Sequence, residues 1–234
     1  VYSVSEAFVG ACEGSRRLYR SYNVKPDRIF SAPLCTDNLR FSKPKEDKRF
    51  DFIFCSRFVE HKNPLFALEV AQAVARKIGR KVPLRFVGQG GLESEIRHRA
   101  EALESTVEVS FAGYLSQDLL PLEYARSRVF LFPTSFDPWG VVVNEACAAG
   151  VPCVVSPHTG VAGELIRDGE TGYVCSLDSL SIWASRCADL LSDHQLWGQM
   201  SDAARQAVDA YHFQAAADGV LAAVRKAAPL RALV

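Results

Sequence analysis

The sequence predicts an α/β protein with a doubly wound, parallel, Rossmann-like sheet, and three observations support this. Continuous apolar runs of a few residues recur along the chain, as expected of strands buried on both faces. Segments with helical apolar spacing separate these runs. No internal repeat or low-complexity segment interrupts the alternation. Because ligands of such sheets bind at the carboxyl ends of the strands, the residues that follow each run are the candidates for function.

The first 45 residues predict a strand, a helix and a second strand. Residues 1–4 are short and extended, and Ser5 is a candidate cap for a helix that continues to about Tyr22. Residues 29–33 form the second strand, and a polar link over residues 35–47 follows.

Beyond residue 46 the alternation becomes regular. Pro64 suits a first helical position with Asn63 as its cap, which predicts a helix to about Lys77. Further helices are expected up to about Leu103, from Gly140, and after Asp178, the last over residues 213–226. The predicted strands are Phe52–Cys55, Leu84–Val87, Val107–Phe111, Val129–Phe132, Val151–Val155 and Tyr173–Cys175.

Composition excludes several classes of function. The chain has 234 residues, and 27 Lys and Arg balance 27 Asp and Glu, so global charge gives no case for nucleic acid. The seven cysteines are scattered without a C-x-x-C pair, which predicts reduced packing residues, no metal site and no cofactor. No apolar run approaches the roughly 20 residues of a membrane helix, and no signal peptide is evident, so a cytoplasmic location is expected. The first residue is Val1 rather than Met, which indicates a fragment of a longer protein.

Two carboxylates, Asp137 and Glu145, stand with seven residues between them around a predicted helix start at Gly140. The amides of Gly140, Val141 and Val142 can hold an anion, because unpaired N–H groups and the positive end of the helix dipole meet there. Glu145 would then lie close to the group that is attached to the anion, and a carboxylate can accept hydrogen bonds from two sugar hydroxyls at once. The alternative is that Asp137 caps the helix and Glu145 is a solvated helix acid.

This segment, followed by A-C-A-A-G-V-P-C-V-V-S, resembles the E-x7-E motif of retaining nucleotide-sugar glycosyltransferases with two Rossmann domains. That family (GT-B fold, glycosyltransferase group one, family four) includes glycogen synthase and bacterial mannosyltransferases. Asp137 replaces the usual first Glu and is one methylene shorter. The resemblance implies that Glu145 holds the ribose hydroxyls of the donor and that Asp137 holds a hydroxyl of the transferred sugar. It also implies that Gly140, Val141 and Val142 supply backbone donors.

The segment S-R-F-V-E-H-K-N-P, which follows the first regular strand, resembles the family's G-R-L-x-x-x-K-G. The resemblance implies that Arg57 and Lys62 hold the diphosphate of the donor, where two cations stabilise the charge that builds on the leaving group. Ser56 and Asn63 replace the two glycines of the motif and remove no charge. The alternative is a pair of surface basic residues.

Three further loops follow predicted strands. Gly88 opens G-Q-G-G, which is weak as a nucleotide fingerprint and indicates a tight turn near the ligand. The A-G-Y-L segment resembles the family's F-x-G-x-(V/L), which implies that the backbone of Tyr114 and Leu115 lies against the base, although Tyr114 also fits a packing aromatic. H-T-G-V-A-G-E resembles the G-G-x-x-E loop, in which Glu164 is expected to be structural and His158 solvated.

Taken over the whole chain, the resemblance implies the C-terminal, donor-binding half of a GT-B glycosyltransferase. Residues 1–45 would be the remnant of an N-terminal domain with the interdomain link, and residues 46–234 the donor domain. The whole enzyme would move a sugar, with retention and without a metal, from a nucleoside-diphosphate sugar to a glycan, lipid or small-molecule acceptor. Because the acceptor site would lie mainly in the missing domain, this chain alone is expected to be inactive or weakly active.

Two other functions remain open at this stage. One is a non-catalytic module that binds a nucleotide or nucleotide sugar, which the departures at Ser56 and Asp137 favour slightly. The other is a sugar-nucleotide epimerase of related fold, which fits the order of the motifs less well. The resemblance also leaves room for peripheral membrane contact by the full-length protein.

Overall fold

The computed structural model describes residues 4–228, in which strands and helices alternate. The strands are β1 Phe8–Gly10, β2 Ile29–Ser31, β3 Phe50–Cys55, β4 Val82–Val87, β5 Val107–Phe111, β6 Ser127–Phe132, β7 Cys153–Val155 and β8 Gly172–Val174. The α-helices are α1 Glu13–Ser21, α2 Asn38–Ser42, α3 Pro64–Ile78, α4 Glu93–Glu101, α5 Leu120–Ala125, α6 Val141–Ala148, α7 Leu180–Ser192, α8 His194–Val208 and α9 Phe213–Ala227.

Six strands form one parallel sheet in the order β5-β4-β3-β6-β7-β8, which confirms the predicted doubly wound fold. The strand order reverses between β3 and β6. A crevice therefore opens beyond the carboxyl ends of these two strands, where ligands of such sheets bind.

Alternate residues of the central strands face two apolar layers. Phe52 and Phe54 of β3 pack with α3 and α7, whereas Ile53 and Cys55 pack with α5 and α6. This burial on both faces explains why the strands read as continuous apolar runs. The seven cysteines are free, and five of them are buried. In residues 4–228, no helix is both long and apolar enough to cross a bilayer.

The prediction for the start of the chain is wrong in part. Residues 1–3 of the predicted first strand lie outside the described residues, and Val4 lies in a bend. Residues 8–10 form β1, which pairs with β2, so no helix begins after Ser5. The helix begins after Cys12, whose thiol accepts from the Ser15 amide while the Ser15 hydroxyl accepts from the Cys12 amide. This reciprocal cap and the buried Phe8 outweigh the local helical signal at Ser5.

Two short helices, α2 and α5, were not predicted, and β7 is shorter than the strand predicted over residues 151–155. The polar link contains α2, whose Phe41 is buried against Tyr124 of α5. β7 begins at Cys153 rather than at Val151, because the Val151 amide still bonds to the last turn of α6.

The last helix returns to the start of the chain and packs on β2. Gly219 of α9 lies so close that a Cβ placed there would be 1.8 Å from the Ser31 carbonyl oxygen. The two segments that connect β1, α1, β2 and α9 to the rest of the chain lie side by side. Asn38 donates its amide to the carbonyls of both Val208 and Tyr211, at 3.0 and 3.2 Å.

We expect Gly219→Ala to destabilise the chain although alanine is the better helix former. The gain in helix propensity is about 1 kcal/mol, whereas forcing a methyl group into a close contact costs about 1–3 kcal/mol. Gly198→Ala in α8 is the matched control, because nothing lies within 4 Å of its Cβ position, and it should stabilise by about 0.5–1 kcal/mol. Urea unfolding of both variants measures the difference, and equal stabilisation would contradict the close packing of α9.

Candidate donor-binding site

A cleft of about 440 Å³ lies at the carboxyl ends of β3 and β4, next to the point where the strand order reverses. Its lining residues are Cys55, Ser56, Arg57, Val87, Gly88, Gln89, Gly90, Tyr114, Leu115 and Leu120. Four of the residues predicted for the donor, Arg57, Gly88, Tyr114 and Leu115, therefore meet in one cleft.

Gly88 shapes the floor of this cleft. Its φ is +129°, and a Cβ would lie 2.0 Å from the Ser56 carbonyl oxygen. Its amide donates to the Gly113 carbonyl at 2.8 Å, which ties the end of β4 to the loop before Tyr114. The predicted tight turn is thus a position that only glycine can occupy.

Tyr114 and Arg57 are both exposed at the cleft, and Tyr114 is 74% exposed. Tyr114 is therefore not a packing aromatic. Within residues 4–228, Arg57 forms no salt bridge, so its guanidinium is free to meet an anion that enters the cleft.

Glu145 is buried, which rules out a solvated helix acid. Only 2% of its surface is exposed, and its Oε2 accepts from the Tyr124 hydroxyl at 3.0 Å. The Gln117 amide lies 3.4 Å from its Oε1. Two side chains outside the motif therefore orient this carboxylate, and neither could be identified from the pattern around Glu145.

Burial raises the pKa of Glu145, while the hydrogen bonds from Tyr124 and Gln117 lower it in part. The neighbouring Cys55 thiol is also buried, which raises its pKa to about 12, so it stays protonated at neutral pH. Because the folded chain binds the Glu145 proton more tightly than the unfolded chain does, the contribution of this group to stability falls as pH rises through its shifted pKa.

We expect Tyr124→Phe to raise the pKa of Glu145 further, since the variant loses a hydrogen bond that favours the carboxylate. Any ligand that needs the ionised form should then bind about 2–10-fold more weakly near neutral pH, with its pH midpoint displaced upward. Calorimetric titration at several pH values measures this. Tyr211→Phe is the control, because the Tyr211 hydroxyl has no hydrogen bond to this carboxylate; an unchanged pH midpoint in Tyr124→Phe would contradict the assigned role.

Lys62 and Asp137 form a nearly buried ion pair. The Lys62 Nζ lies 2.6 Å from Asp137 Oδ2, with 10% and 19% of the side chains exposed, and 5.5 Å from the centre of the Phe132 ring. The other oxygen of Asp137 accepts from the Trp139 amide at 3.0 Å. Asp137 thus stabilises the turn before α6, and it also holds the lysine beside the start of that helix.

Gly140 precedes α6 with a φ of +102°, and a Cβ would lie 2.8 Å from the Phe132 ring. The helix then begins at Val141, which is partly exposed, with Val142 next to it. Among the described residues 4–228, no side chain caps this helix, so Asp137 is not its cap and the first amides remain available to an anion.

The helix that carries Glu145 is also tied to the link after β2. The Trp139 indole donates to the Asn144 side chain at 2.9 Å, and Asn144 donates to the Leu34 carbonyl at 3.1 Å. These two buried polar groups position α6 against a segment that is 110 residues away in sequence.

The loop after β7 is structural, as predicted. The Glu164 carboxylate accepts from the Glu13 amide at the start of α1, at 2.6 Å. His158 is exposed, and its carbonyl accepts from the Asp137 amide at 3.0 Å. In the part of the chain that the structure describes, no group of three His, Cys, Asp or Glu side chains is arranged to hold a metal ion.

Comparison with known proteins places the chain in a family. A family model described as glycosyl transferases group 1 matches residues 36–207. The N-acetyl-alpha-D-glucosaminyl L-malate synthase of Bacillus anthracis is 31% identical over 141 residues, which are 60% of this chain and 36% of that protein. The chain spans about a third to a half of the length of the curated relatives that it matches.

Solved structures show the same fold. A mutant of S. aureus TarM in complex with fondaparinux, alpha-GlcNAc-glycerol and UDP superposes with a TM-score of 0.77 at 19% identity, over 93% of this chain and 43% of TarM. The C-terminal domain of LpcC, a group 1 family protein of Francisella tularensis, gives 0.61 at 17% identity, over 75% of this chain and 93% of that domain. Since the family model covers most of the chain, the protein belongs to the group 1 glycosyl transferases and has the Rossmann-like fold of the C-terminal half of their GT-B architecture.

Proposed function

We propose that this chain is the donor-binding domain of a retaining glycosyltransferase that uses a nucleoside-diphosphate sugar. The observation that carries the proposal is the oriented, buried carboxylate of Glu145, held by Tyr124 and Gln117 near Cys55, which lines the open cleft. A carboxylate fixed in this way can accept from two neighbouring ribose hydroxyls at once. The first amides of α6 and Arg57, which forms no salt bridge within residues 4–228, supply positive charge nearby.

In the proposed complex, each part of the donor meets one part of the site. The base lies in the cleft against the backbone of Tyr114 and Leu115, above Gly88. The diphosphate lies between Arg57, Lys62 and the amides of Gly140, Val141 and Val142. Because Lys62 and Asp137 are in contact, the transferred sugar at Asp137 lies next to the phosphate at Lys62. Charge that develops on the leaving diphosphate is therefore stabilised where the glycosidic bond breaks.

The acceptor, a glycan, lipid or small molecule, is proposed to bind mainly to a preceding domain. Residues 1–45 are then the remnant of that domain with the link, and residues 46–234 the donor domain. The match of the isolated LpcC domain over 93% of its length supports a donor domain that folds as a unit. With one wall of the reaction centre absent, this chain alone is expected to bind donor and to transfer sugar weakly or not at all.

Calorimetric titration of the chain with UDP, GDP and ADP, and with their sugar conjugates, tests the donor site and identifies its base. UDP is the first choice, because it is present in the TarM structure. Arg57→Gln should weaken binding about tenfold, the change expected when one hydrogen bond to a charged group is lost, whereas Arg76→Gln on the outside of α3 should not. In the full-length protein, NMR of the product should show the anomeric configuration of the donor; an inverted product would reject the retaining mechanism.

The second candidate is a non-catalytic module that binds a nucleotide or nucleotide sugar. This alternative is favoured because Asp137 replaces the usual Glu, and its carboxylate already contacts Lys62 and accepts from the Trp139 amide. Nucleotide binding without any transfer by the full-length protein would support this alternative.

A further inference from the structure

A second cleft lies at the amino ends of the central strands, on the opposite edge of the sheet from the donor cleft. Its volume is about 270 Å³, and Lys48, Arg49, Phe50, Asp51, Arg128, His194 and Trp197 line it. β3 begins at Phe50 and β6 at Ser127, so β3 borders the donor cleft at its carboxyl end and borders this cleft, together with β6, at its amino end. The two clefts share no residue.

The wall of this cleft carries positive charge without partners. Within residues 4–228, Lys48, Arg49 and Arg128 form no salt bridge. The carboxylate in the wall, Asp51, accepts two hydrogen bonds from Arg80 and is thereby neutralised. Three cations therefore face one small volume and repel one another.

The central cation, Lys48, is held in a fixed position. Its Nζ donates to the Ser127 carbonyl at 2.8 Å and lies 5.2 Å from the centre of the Trp197 ring. The Trp197 indole is itself anchored by a 2.8 Å bond to the Arg128 carbonyl. Partial burial lowers the pKa of Lys48 to about 8, and the charges of Arg205 and Arg128 contribute.

We propose that this cleft binds a phosphate monoester or a similar small dianion, with Lys48 and Arg128 as its charged donors and Trp197 as its flat wall. A dianion would relieve the repulsion between the cations. It would also accept hydrogen bonds from the two N–H groups of the Lys48 ammonium that do not bond to Ser127. An arginine fork matches phosphate oxygens, which favours phosphate over a spherical anion. The volume is close to the lower limit of about 300 Å³ for small-molecule sites, so a small ligand fits better than a broad macromolecular surface.

Titration of the chain with inorganic phosphate, at an ionic strength held constant with chloride, tests the proposal by NMR of the tryptophan indole N–H groups. The indole of Trp197 should shift saturably. The indoles of Trp139 and Trp183, at most 1% exposed, are internal references and should not move. The absence of a saturable shift at Trp197 would overturn the proposal.

Variants separate this site from general charge and from the donor site. Lys48→Gln and Arg128→Gln should each weaken phosphate binding about tenfold, the effect of losing one charged hydrogen bond. Lys77→Gln, which removes an exposed cation at the end of α3, should leave it unchanged, and equal weakening by this control would overturn the proposal. Glu145→Ala should also leave phosphate binding unchanged, so the result does not depend on the proposed donor function.

Binding to vesicles that contain phosphatidic acid, without binding to free phosphate, would assign the cleft to a membrane surface and reject the small ligand.

Discussion

Replacement of Lys62 by methionine should lower the free energy of unfolding by about 3–5 kcal/mol, the usual result of removing one partner of a buried ion pair. Only 10% of the Lys62 side chain is exposed, and Asp137 would be left without its cation in the turn before α6. Urea unfolding measures the change, and nucleotide binding should be lost as well, because Lys62 is proposed to hold the diphosphate.

The double variant Lys62→Met/Asp137→Asn separates the two roles of this pair. It removes both charges, so most of the lost stability should return. Transfer by the full-length protein should still be lost, as in the single variant, because the cation proposed to hold the diphosphate is missing in both. Arg167→Met is the matched control, because the Arg167–Glu170 pair is exposed, at 49% and 65%, and its loss should cost less than about 1 kcal/mol. Equal costs for Lys62→Met and Arg167→Met would show that burial of the Lys62 pair has no energetic consequence.

Glu145→Ala should lower donor affinity and transfer by a factor of about 10²–10⁴. The estimate follows from the loss of two hydrogen bonds to a charged acceptor, at about 1.5–3 kcal/mol each. The fold should tolerate the change, because it removes a buried carboxylate whose pKa is already raised by burial. Nucleotide titration of this chain measures the affinity, and initial rates of the full-length protein measure transfer.

Glu145→Gln tests whether the charge or the shape of this side chain matters. The amide keeps one oxygen acceptor and nearly the same volume, so it should retain more affinity than alanine does and less than the native protein. Glu101→Ala, at the exposed end of α4, serves as the control for general loss of an acid. Full transfer by Glu145→Ala in the complete protein would reject the proposed role.

The central sheet could be predicted because its signal is local. Runs such as Phe52–Cys55 are buried on both faces, and the helix over residues 64–77 begins at its predicted proline, so burial and local propensity agree. The predicted capping role of Asn63 is wrong, because its side chain makes no capping bond and donates to the Pro133 carbonyl instead. At the start of the chain they conflict. β1 exists only because it pairs with β2, about 20 residues later, and the cap that begins α1 is a cysteine thiol, which is not among the usual capping residues.

The sequence predicted the residues of the candidate site that belong to a motif, but it did not predict the residues that hold them in place. Asp137 and Glu145 lie in one segment whose spacing is visible in the sequence. Tyr124 and Gln117 lie 21 and 28 residues before Glu145, and they reach it only because α5 and the loop before it pack beside α6. The pairing of Lys62 with Asp137 spans 75 residues and likewise depends on β3 and β6 being neighbours. Contacts of this kind follow from topology and leave no local pattern.

The contact of Asn38 with the carbonyls of Val208 and Tyr211 also constrains motion. The chain passes between the group of β1, α1, β2 and α9 and the main sheet twice, and this side chain joins the two passages. Because this side chain joins the two passages, a displacement of the group relative to the main sheet has to move both of them together. A domain attached to β1 and β2 would therefore be coupled to the main sheet through both passages, and the bond from Asn144 to the Leu34 carbonyl links the first passage to the helix that carries Glu145.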